Sequence, residues 1–415
     1  MQLRCVDCGH AMPADVRYAC EKCGGILEVE EPIGTSIGDH AYLRRTMWRY
    51  ADRLSVADAG AIVSLGEGCT PLHRAKRLEA SIPGFKGEIW IKDETINPTG
   101  SFKDRLISAA VSRARELECR GIICASSGNA GASTAAYAAR AGMDAIIVVP
   151  TRTPEEKLTQ IASYGALLVK VDGHYSHSYD VAIRLAEEQG LFNVTTTFLN
   201  PYGVDALKVV GEELAEQLGG RVPDYVLVPT GAGPLVKGVV QGFAERPGGR
   251  LPKTVAVQAA GCAPIVRAFE RGEETVTAWG EPQTIASGIS DPLIGYERDG
   301  SYTLRLVRQS GGLAAAVSDD EIRAAMSDLA RMEGLLAEPT GASSFAAARK
   351  LIETDRISRD AIVVCMVTGH GYKDMKVFRS LPIRVSHLPA EPDAAQLASV
   401  LEAQAARRIK LMIVS

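Results

Sequence analysis

Residues 121–149 read GIICASSGNAGASTAAYAARAGMDAIIVV and contain a strand, a helix and a second strand in succession. The apolar runs at 121–125 and 145–149 are short and are bounded by polar residues or glycine, which is typical of strands buried on both faces. Between them, residues 129–141 have the apolar spacing of a helix. Strands that alternate with helices pair in parallel, so this stretch predicts a βαβ unit.

The same alternation extends over most of the chain. Further buried strands are predicted from apolar runs at 225–228, 254–257 and 362–367. Helical spacing is found at 102–118, 154–164, 177–189, 204–218 and 234–244. We therefore expect an α/β fold with two open twisted parallel sheets.

Composition narrows the class of function. The chain has 415 residues, which favours two domains and a small appendage, and a formal net charge of -4 without the clustered basic residues that bind nucleic acid or anionic membranes. No apolar run approaches the roughly 20 residues needed to span a bilayer, and the first residues lack the apolar core of a signal peptide. We therefore expect a cytoplasmic protein that acts on a small molecule.

Four of the nine cysteines are regularly spaced. The pairs Cys5-x2-Cys8 and Cys20-x2-Cys23 each precede a glycine, which is the double-knuckle pattern of a zinc ribbon. Each pair can present two thiolates to one tetrahedral ion, and glycine lets the backbone turn around the metal. We predict a structural zinc site at these four cysteines, with a metal-free ribbon of reduced thiols as the alternative.

The polar motifs lie where predicted strands end and helices begin. Open α/β sheets bind ligands at this position, and helix N-termini attract anions there. The first such loop, residues 97–105 with the sequence NPTGSFKDR, places Lys103 in the first turn of a helix. The positive end of the helix dipole is expected to lower the pKa of Lys103, as a lysine that reacts with a carbonyl compound requires.

Three other loops have the same placement. Residues 126–131, SSGNAG, can bind a carboxylate with backbone N–H groups, and residues 229–235, PTGAGPL, can cradle a phosphate. By themselves, these two loops are equally compatible with a helix cap and a tight turn. The fourth loop begins with Thr368 at the end of the last predicted strand.

The first loop resembles the cofactor-lysine motif of the tryptophan-synthase-β-like (fold type II) pyridoxal-5′-phosphate (PLP) enzymes, and of threonine synthases in particular. Residues 66–72, GEGCTPL, and residues 368–374, TGHGYKD, are similar to further motifs of that family and occur in the family's order. The resemblance extends over most of the chain beyond the ribbon. It implies a homodimeric lyase of amino-acid biosynthesis with PLP in a cleft between two α/β domains.

The resemblance also implies how the chain divides into domains. A zinc-ribbon-like segment is expected at 1–30. The large PLP-binding domain is expected to combine 31–104 with 186–415, and the smaller α/β domain to occupy 105–185.

Individual roles follow from the matched motif positions. Lys103 is implied to carry PLP and to act as the base at the substrate Cα, Asn129 to contact the cofactor's ring hydroxyl, and Thr368 to face its pyridine nitrogen. A neutral hydroxyl at this last position favours elimination or replacement over transamination. The residues implied to bind the substrate carboxylate are Ser126, Ser127, Gly128 and Ala130. Those implied to bind the PLP phosphate are Gly231, Ala232, Gly233 and Leu235.

Three positions depart from the threonine-synthase pattern. Where that family, as aligned, uses a threonine, a serine and an arginine to hold the phosphate of O-phosphohomoserine, this chain has Ala130, Phe198 and Gly203. A desolvated phosphate needs charge-assisted donors, for which Lys103 and Lys208 are the candidates. Two hypotheses stay open. One is a threonine synthase with a different phosphate grip, and the other is a β-elimination or β-replacement enzyme, similar to a serine/threonine ammonia-lyase or to a phosphoserine-using cysteate synthase.

A hypothesis of another class is a zinc-ribbon binding module in which the α/β body is only a scaffold. The presence of Lys103, Asn129 and Thr368 in one chain argues against it, because a scaffold has no need for this combination.

Overall fold

A computed structural model describes residues 1–126, 128–153, 155–173, 175–380, 387–398 and 400. The chain forms two units, Met1–Asp374 and Met375–Ser415. The first unit contains all the sheets of the described chain. In the second, residues 394–398 are helical.

Most strands are short and are followed by a helix. In chain order the strands are β1 (Gln2–Cys5), β2 (Ala11–Pro13), β3 (Leu27–Glu30), β4 (Leu72–Arg74), β5 (Glu88–Asp93), β6 (Gly121–Ala125), β7 (Asp144–Pro150), β8 (Leu167–Val171), β9 (Phe192–Asn193), β10 (Tyr225–Pro229), β11 (Lys253–Ala259), β12 (Leu313–Val317) and β13 (Ile362–Val367). The α-helices are α1 (Lys76–Ser81), α2 (Lys103–Glu116), α3 (Asn129–Ala141), α4 (Glu155–Ser163), α5 (Tyr175–Gln189), α6 (Pro201–Ala206), α7 (Lys208–Gln217), α8 (Pro234–Ala244), α9 (Pro264–Glu270), α10 (Glu297–Gln309), α11 (Asp319–Asp328) and α12 (Pro339–Glu353). Shorter 3₁₀ or π segments occupy Leu43–Arg45, Met47–Arg53, Ala59–Ala61, Glu94–Ile96, Ser287–Ile289, Leu329–Glu333 and Gly371–Ser380.

Two sheets form the body of the first unit. The larger has the strand order β12-β11-β10-β13-β5-β4 and is parallel except for its edge strand β4. The smaller is parallel throughout, with the order β8-β7-β6-β9. Every residue of β6 and β10 is buried, as expected for parallel strands covered on both faces. The predicted α/β fold with two open parallel sheets is confirmed, whereas the predicted domain boundaries stay a prediction.

The strand order brings distant loops together. β13 pairs with β10 on one side and with β5 on the other. The carboxyl ends of parallel neighbours lie at one edge of a sheet, so the loops after β5, β13 and β10 are adjacent in space although they are far apart in sequence. The loop that contains Lys103 therefore lies beside the loop that begins with Thr368.

The predicted helix at 204–218 is two helices, α6 and α7, and it begins earlier than expected. The Asn200 side chain accepts a hydrogen bond from the Gly203 N–H at 3.0 Å, and Pro201 occupies the first helical position. Proline at this position sacrifices no helical hydrogen bond, so Asn200-Pro201 is a start signal that apolar spacing alone does not reveal.

The N-terminal segment folds as a small antiparallel sheet, β2-β1-β3, with two cysteine knuckles. In each knuckle the glycine has a left-handed backbone, with φ of 68° at Gly9 and 67° at Gly24. Their N–H groups donate to the carbonyls of Cys5 and Cys20, at 3.0 and 2.7 Å. The two turns therefore have the same construction, which is what the repeated sequence pattern predicts.

The four thiols of this segment converge. The Sγ atoms of Cys5, Cys8, Cys20 and Cys23 lie within 4.8 Å of one another, and Cys23 Sγ is 3.5 Å from both Cys5 and Cys8. A tetrahedral zinc ion with Zn–S bonds of about 2.3 Å holds neighbouring sulfurs about 3.8 Å apart. The donor set therefore fits zinc.

A buried network of four charges lies at the end of β5. Arg105 donates to Glu94 and to Glu213, each at 2.7 Å, and Lys92 donates to Glu213 at 2.7 Å. The four side chains are at most 3% exposed. Thr70 completes the cluster, because its hydroxyl donates to Glu94 and its carbonyl accepts from Lys92. Two cations thus face two carboxylates, and the cluster ties β5, α2 and α7 together.

None of the described helices combines the length and the apolar character that crossing a bilayer requires.

Replacement of Glu213 by glutamine tests the charge network. The variant leaves two buried cations with one carboxylate, so we expect the free energy of unfolding at pH 7 to fall by about 3–5 kcal/mol. Burial alone would raise the pKa of Glu213, but Arg105 and Lys92 lower it to about 2. The stabilisation is therefore fully present above the ordinary value of 4.5 and is lost as the pH falls toward 2.

Chemical denaturation at pH 7 and at several acidic pH values measures both effects. The control is Glu216→Gln on the same helix, whose exposed side chain pairs with Arg49 and should contribute less than about 1 kcal/mol. A Glu213→Gln variant as stable as this control at pH 7 contradicts the network's role.

The predicted zinc site is tested by metal analysis of the purified protein. We expect one zinc per chain, and we expect Cys8→Ser to lose the metal and to lower the thermal midpoint, because three thiolates hold zinc less tightly than four. Cys119→Ser, which lies outside the cluster, should keep the metal. Metal-free protein whose exposed Cys8 and Cys23 react at once with a thiol reagent would support the ribbon without metal.

Candidate functional site

A cavity of about 400 Å³ lies at the carboxyl ends of β5, β6, β10 and β13. The four loops that follow these strands supply much of its lining. The predicted site residues that line it are Lys103, Ser126, Gly128, Asn129, Ala130, Gly231, Ala232, Gly233, Leu235 and Thr368. Ser127 lies outside the described residues. One cavity therefore contains groups that are separated by as many as 265 residues in the sequence, counted from Lys103 to Thr368.

Lys103 is the first residue of α2, and its ammonium group faces the cavity. Its Nζ donates to the Thr196 hydroxyl at 2.8 Å. Burial lowers the pKa of Lys103 to about 8, although the charges of Asp291 and Glu338 oppose this shift. The lowered pKa was expected, but its principal cause is burial rather than the helix dipole.

The loop before Lys103 is held by the carboxylate of the next residue. Asp104 accepts hydrogen bonds from the N–H and the hydroxyl of Thr99, at 2.7 and 2.6 Å, and from the Ser133 hydroxyl at 2.6 Å. The Phe102 N–H donates to the Thr368 carbonyl at 3.0 Å. These bonds fix the Lys103 loop against α3 on one side and against the loop after β13 on the other.

The start of α3 forms one wall of the cavity. Gly128 occupies the cap position before the helix, and the Asn129 amide donates to Glu338 Oε1 at 2.8 Å. The Glu338 N–H in turn donates to the Gly369 carbonyl at 3.0 Å, so Glu338 links α3 to the loop after β13. The predicted contact of Asn129 with a cofactor hydroxyl stays a prediction.

The loop between β10 and α8 is built to receive an anion. Gly233 has φ of +116°, and a Cβ there would lie 1.9 Å from Thr303 Oγ1, so only glycine fits. The Thr303 hydroxyl holds the loop by donating to the Ala232 carbonyl at 2.6 Å. Among the described residues, nothing accepts a hydrogen bond from the N–H groups of Gly231, Ala232 or Gly233. These donors, at the N-terminus of a helix, fit a phosphate. Pro234 takes the first helical position and contributes no N–H.

Thr368 lies at the end of β13 and is 1% exposed. No described group lies within hydrogen-bonding distance of its hydroxyl, although it lines the cavity. A buried hydroxyl without a partner costs free energy, so the geometry points to a ligand atom as its partner. A pyridine nitrogen is a suitable partner because it accepts a hydrogen bond from a hydroxyl.

Several cavity residues were not singled out from the sequence. They are Gln160, Tyr175, Thr196, Asp291, Glu338 and Lys373. Asp291 accepts from the Tyr296 hydroxyl at 2.7 Å, and burial raises the pKa of its carboxyl group. Glu338 had a detectable signal, since an acid immediately before a helix-initiating proline is at a cap position. The others lie in segments whose sequence gives no sign of their position beside the cavity.

The three positions that depart from the threonine-synthase pattern are not equivalent. Ala130 lines the cavity. Phe198 is 3% exposed and packs edge-on against Tyr302, with ring centroids 5.1 Å apart. Gly203 is buried in α6, where a Cβ would lie 2.8 Å from Leu106 Cδ2. Phe198 packs into the core and position 203 has no room for a longer side chain.

Lys208 was a candidate for contacting a substrate phosphate, and this expectation is wrong. Its Nζ is buried and donates to Asp205 Oδ1 at 3.1 Å, with Glu245 at 3.7 Å. Lys208 faces the core of α7 and is not among the cavity-lining residues. A buried ammonium already paired with two carboxylates cannot serve an anion elsewhere.

Comparisons with known proteins agree with this geometry. A family model described as "Pyridoxal-phosphate dependent enzyme" matches residues 63–369, which include Lys103, Asn129, Gly233 and Thr368 but not the ribbon. The threonine synthase of Methanocaldococcus jannaschii is 39% identical over 385 residues, covering 90% of this chain and 93% of that protein. The threonine synthase of Methanosarcina acetivorans is 36% identical over 381 residues, covering 90% and 92%.

Solved structures give the same fold. Maize serine racemase superposes with a TM-score of 0.65 at 25% identity, covering 75% of this chain and 91% of that chain. A bacterial threonine deaminase, from T.th., superposes with a TM-score of 0.61 at 25% identity, covering 72% and 92%.

Two glycines of the anion-binding loop form a matched pair for testing its construction. Gly233→Ala would force a methyl group into Thr303, so we expect the free energy of unfolding to fall by about 1–3 kcal/mol. A Cβ at Gly231 would lie 3.4 Å from Asp291, an ordinary contact, so Gly231→Ala should leave stability nearly unchanged. Urea denaturation of both variants measures the difference, and equal losses would show that Thr303 does not fix the loop.

Proposed function

Because this chain belongs to the family of pyridoxal-phosphate-dependent enzymes, we propose that it is a lyase that catalyses the threonine synthase reaction, from O-phosphohomoserine and water to threonine and phosphate. The observation that carries the proposal is that Lys103, the unpartnered Thr368 hydroxyl and the anion-binding loop at Gly233 line one cavity. The two relatives described above, each matched over more than nine-tenths of its length, are threonine synthases.

The cavity residues fit PLP and divide its parts among them. Lys103 would carry the cofactor's aldehyde carbon, the N–H groups of residues 231–233 and 235 its phosphate, and Thr368 its pyridine nitrogen. When bound, PLP supplies an electron sink for charge that develops at the substrate Cα. Because Thr368 offers a neutral hydroxyl, it does not hold the ring nitrogen protonated as a carboxylate would, and elimination or replacement is favoured over transamination.

Lys103 is suited to moving the proton at the substrate Cα. Its pKa of about 8 leaves part of the lysine uncharged near neutral pH, so its amine can accept a proton. The Thr196 hydroxyl holds the Lys103 amine in place. The N-terminus of α3, at Ser126, Gly128 and Ala130, would bind the substrate carboxylate and set the Cα–H bond in reach of Lys103.

A second candidate function is elimination or replacement at Cβ. It is favoured by the chemistry at positions 130, 198 and 203, which provide no hydroxyl or guanidinium group to a substrate phosphate. Serine, threonine or phosphoserine would then be the substrate class. The two candidates share the cofactor and the role of Lys103 and differ in the leaving group.

We also propose that the enzyme is a cytoplasmic homodimer with the domain division 1–30, 31–104 with 186–415, and 105–185. The resemblance to threonine synthases supports these assignments. Structural zinc at the four N-terminal cysteines is part of the same proposal, and their converging thiols support it.

The cofactor assignment is tested by absorption spectroscopy. Purified protein supplied with PLP should show the visible band of lysine-bound cofactor, and Lys103→Ala should lose that band because no other described lysine amine is placed to replace it. Lys170→Ala, an exposed lysine of β8, is the control. An unchanged band in Lys103→Ala contradicts the assignment.

The reaction is tested by incubation with O-phosphohomoserine. We expect phosphate and threonine to appear in equal amounts. Turnover of serine, threonine or phosphoserine without product from O-phosphohomoserine would instead support the second candidate.

A further inference from the structure

Lys373 is a second lysine that lines the cavity. Its Nζ donates to the Thr99 carbonyl at 3.0 Å and to Gln160 Oε1 at 2.5 Å. Gly100 makes room for its side chain, because a Cβ at Gly100 would lie 3.4 Å from Lys373 Cδ, and φ of +85° there also favours glycine. The loop before Lys103 is thus shaped to let Lys373 reach the cavity.

The charge of Lys373 is not neutralised by direct contact. No carboxylate of the described residues lies within 4.0 Å of its Nζ. The charges that act on it from a distance belong to Asp104 and Glu338, and these carboxylates accept hydrogen bonds from Thr99 and Asn129 respectively. Burial lowers the pKa of Lys373, which is the effect expected when an ammonium loses water without gaining a counter-ion.

Lys373 also has an unused donor. An ammonium group carries three N–H bonds, and two of them are directed at Thr99 and Gln160. Both acceptors are neutral. The third N–H has no acceptor among the described residues, so the site lacks both a hydrogen-bond acceptor and a negative charge.

Other cations are not available for this purpose. Among the described residues that line the cavity, none is an arginine and the only lysines are Lys103 and Lys373. Lys103 is assigned to the cofactor, and Lys208 is paired with carboxylates outside the cavity. A negatively charged side chain on the substrate therefore has one candidate cation to meet.

We propose that Lys373, held by Gln160 and the Thr99 carbonyl, binds the distal anionic group of the substrate, so that the preferred substrate class is an amino acid whose side chain ends in a phosphate. This inference rests on the proposed function and makes it more specific. It relocates phosphate recognition from positions 130, 198 and 203, where this chain has lost the expected groups, to the loop after β13.

The test compares two amino acids that are not turned over and differ in one anionic group. PLP-loaded protein is titrated with 2-amino-5-phosphonopentanoate and with norvaline, and binding is followed by the change in cofactor absorbance. The wild type should bind the phosphonate more tightly. Lys373→Met should weaken phosphonate binding about 10- to 100-fold, which is the range for loss of a hydrogen bond to a charged group, and should leave norvaline binding nearly unchanged.

Two further variants make the test specific. Lys373→Arg keeps the positive charge and should recover part of the preference for the phosphonate, whereas Lys170→Met at the exposed control position should behave as the wild type. Equal weakening of both ligands in Lys373→Met would show a structural role and overturn the inference. A wild type without preference for the phosphonate would overturn it as well.

The outcome is separable from that of the proposed reaction. If Lys373→Met abolishes the preference for the phosphonate while O-phosphohomoserine yields no threonine, the anion site stands and the threonine synthase reaction falls. If threonine is formed but Lys373→Met keeps the preference for the phosphonate, the reaction stands and the anion site falls.

Discussion

Two cations and two carboxylates buried at the end of β5 must be paired, and this requirement governs the position of the candidate site. Each charge loses its hydration on folding, and a single unpaired member would cost several kcal/mol. Lys92, Glu94, Arg105 and Glu213 come from β5, the turn after it, α2 and α7, so all of these elements must reach their final places together. Lys103 is two residues before Arg105, and anchoring Arg105 anchors Lys103.

From this anchor the rest of the cavity is positioned by short hydrogen bonds between loops. Asp104 ties the Lys103 loop to α3 through Ser133, and Phe102 ties it to the loop that begins with Thr368. Glu338 then connects α3 to the same loop through Asn129 and Gly369. The hydroxyl of Thr368 and the N–H groups near Gly233 remain without partners among the described residues, which leaves them available to a ligand.

Sequence reasoning reached the fold because buried parallel strands and their helices leave strong local patterns. It found β6 and α3 at their observed bounds, and it placed Lys103 in the first turn of α2. It did not find β8 and β12. β8 contains Lys170 in an otherwise apolar run, and β12 contains three alanines in five residues, which are weak strand formers. The break between α6 and α7 at Leu207 has no sign in the sequence pattern.

For the site, motifs identified the loops but not the groups that arrive from elsewhere. Thr196, Asp291 and Lys373 lie beside Lys103 only because of tertiary folding. The misassignment of Lys208 has the same origin, since Asp205 and Glu245 become its partners only when α7 and α8 pack together.

Whether Lys103 carries the cofactor is tested most directly by reducing the PLP-loaded protein with borohydride, which makes the lysine linkage permanent, and mapping the modified peptide by mass spectrometry. The expected result is one phosphopyridoxyl group on Lys103. A modification at Lys373 or another lysine, with Lys103 unmodified, would contradict the central assignment.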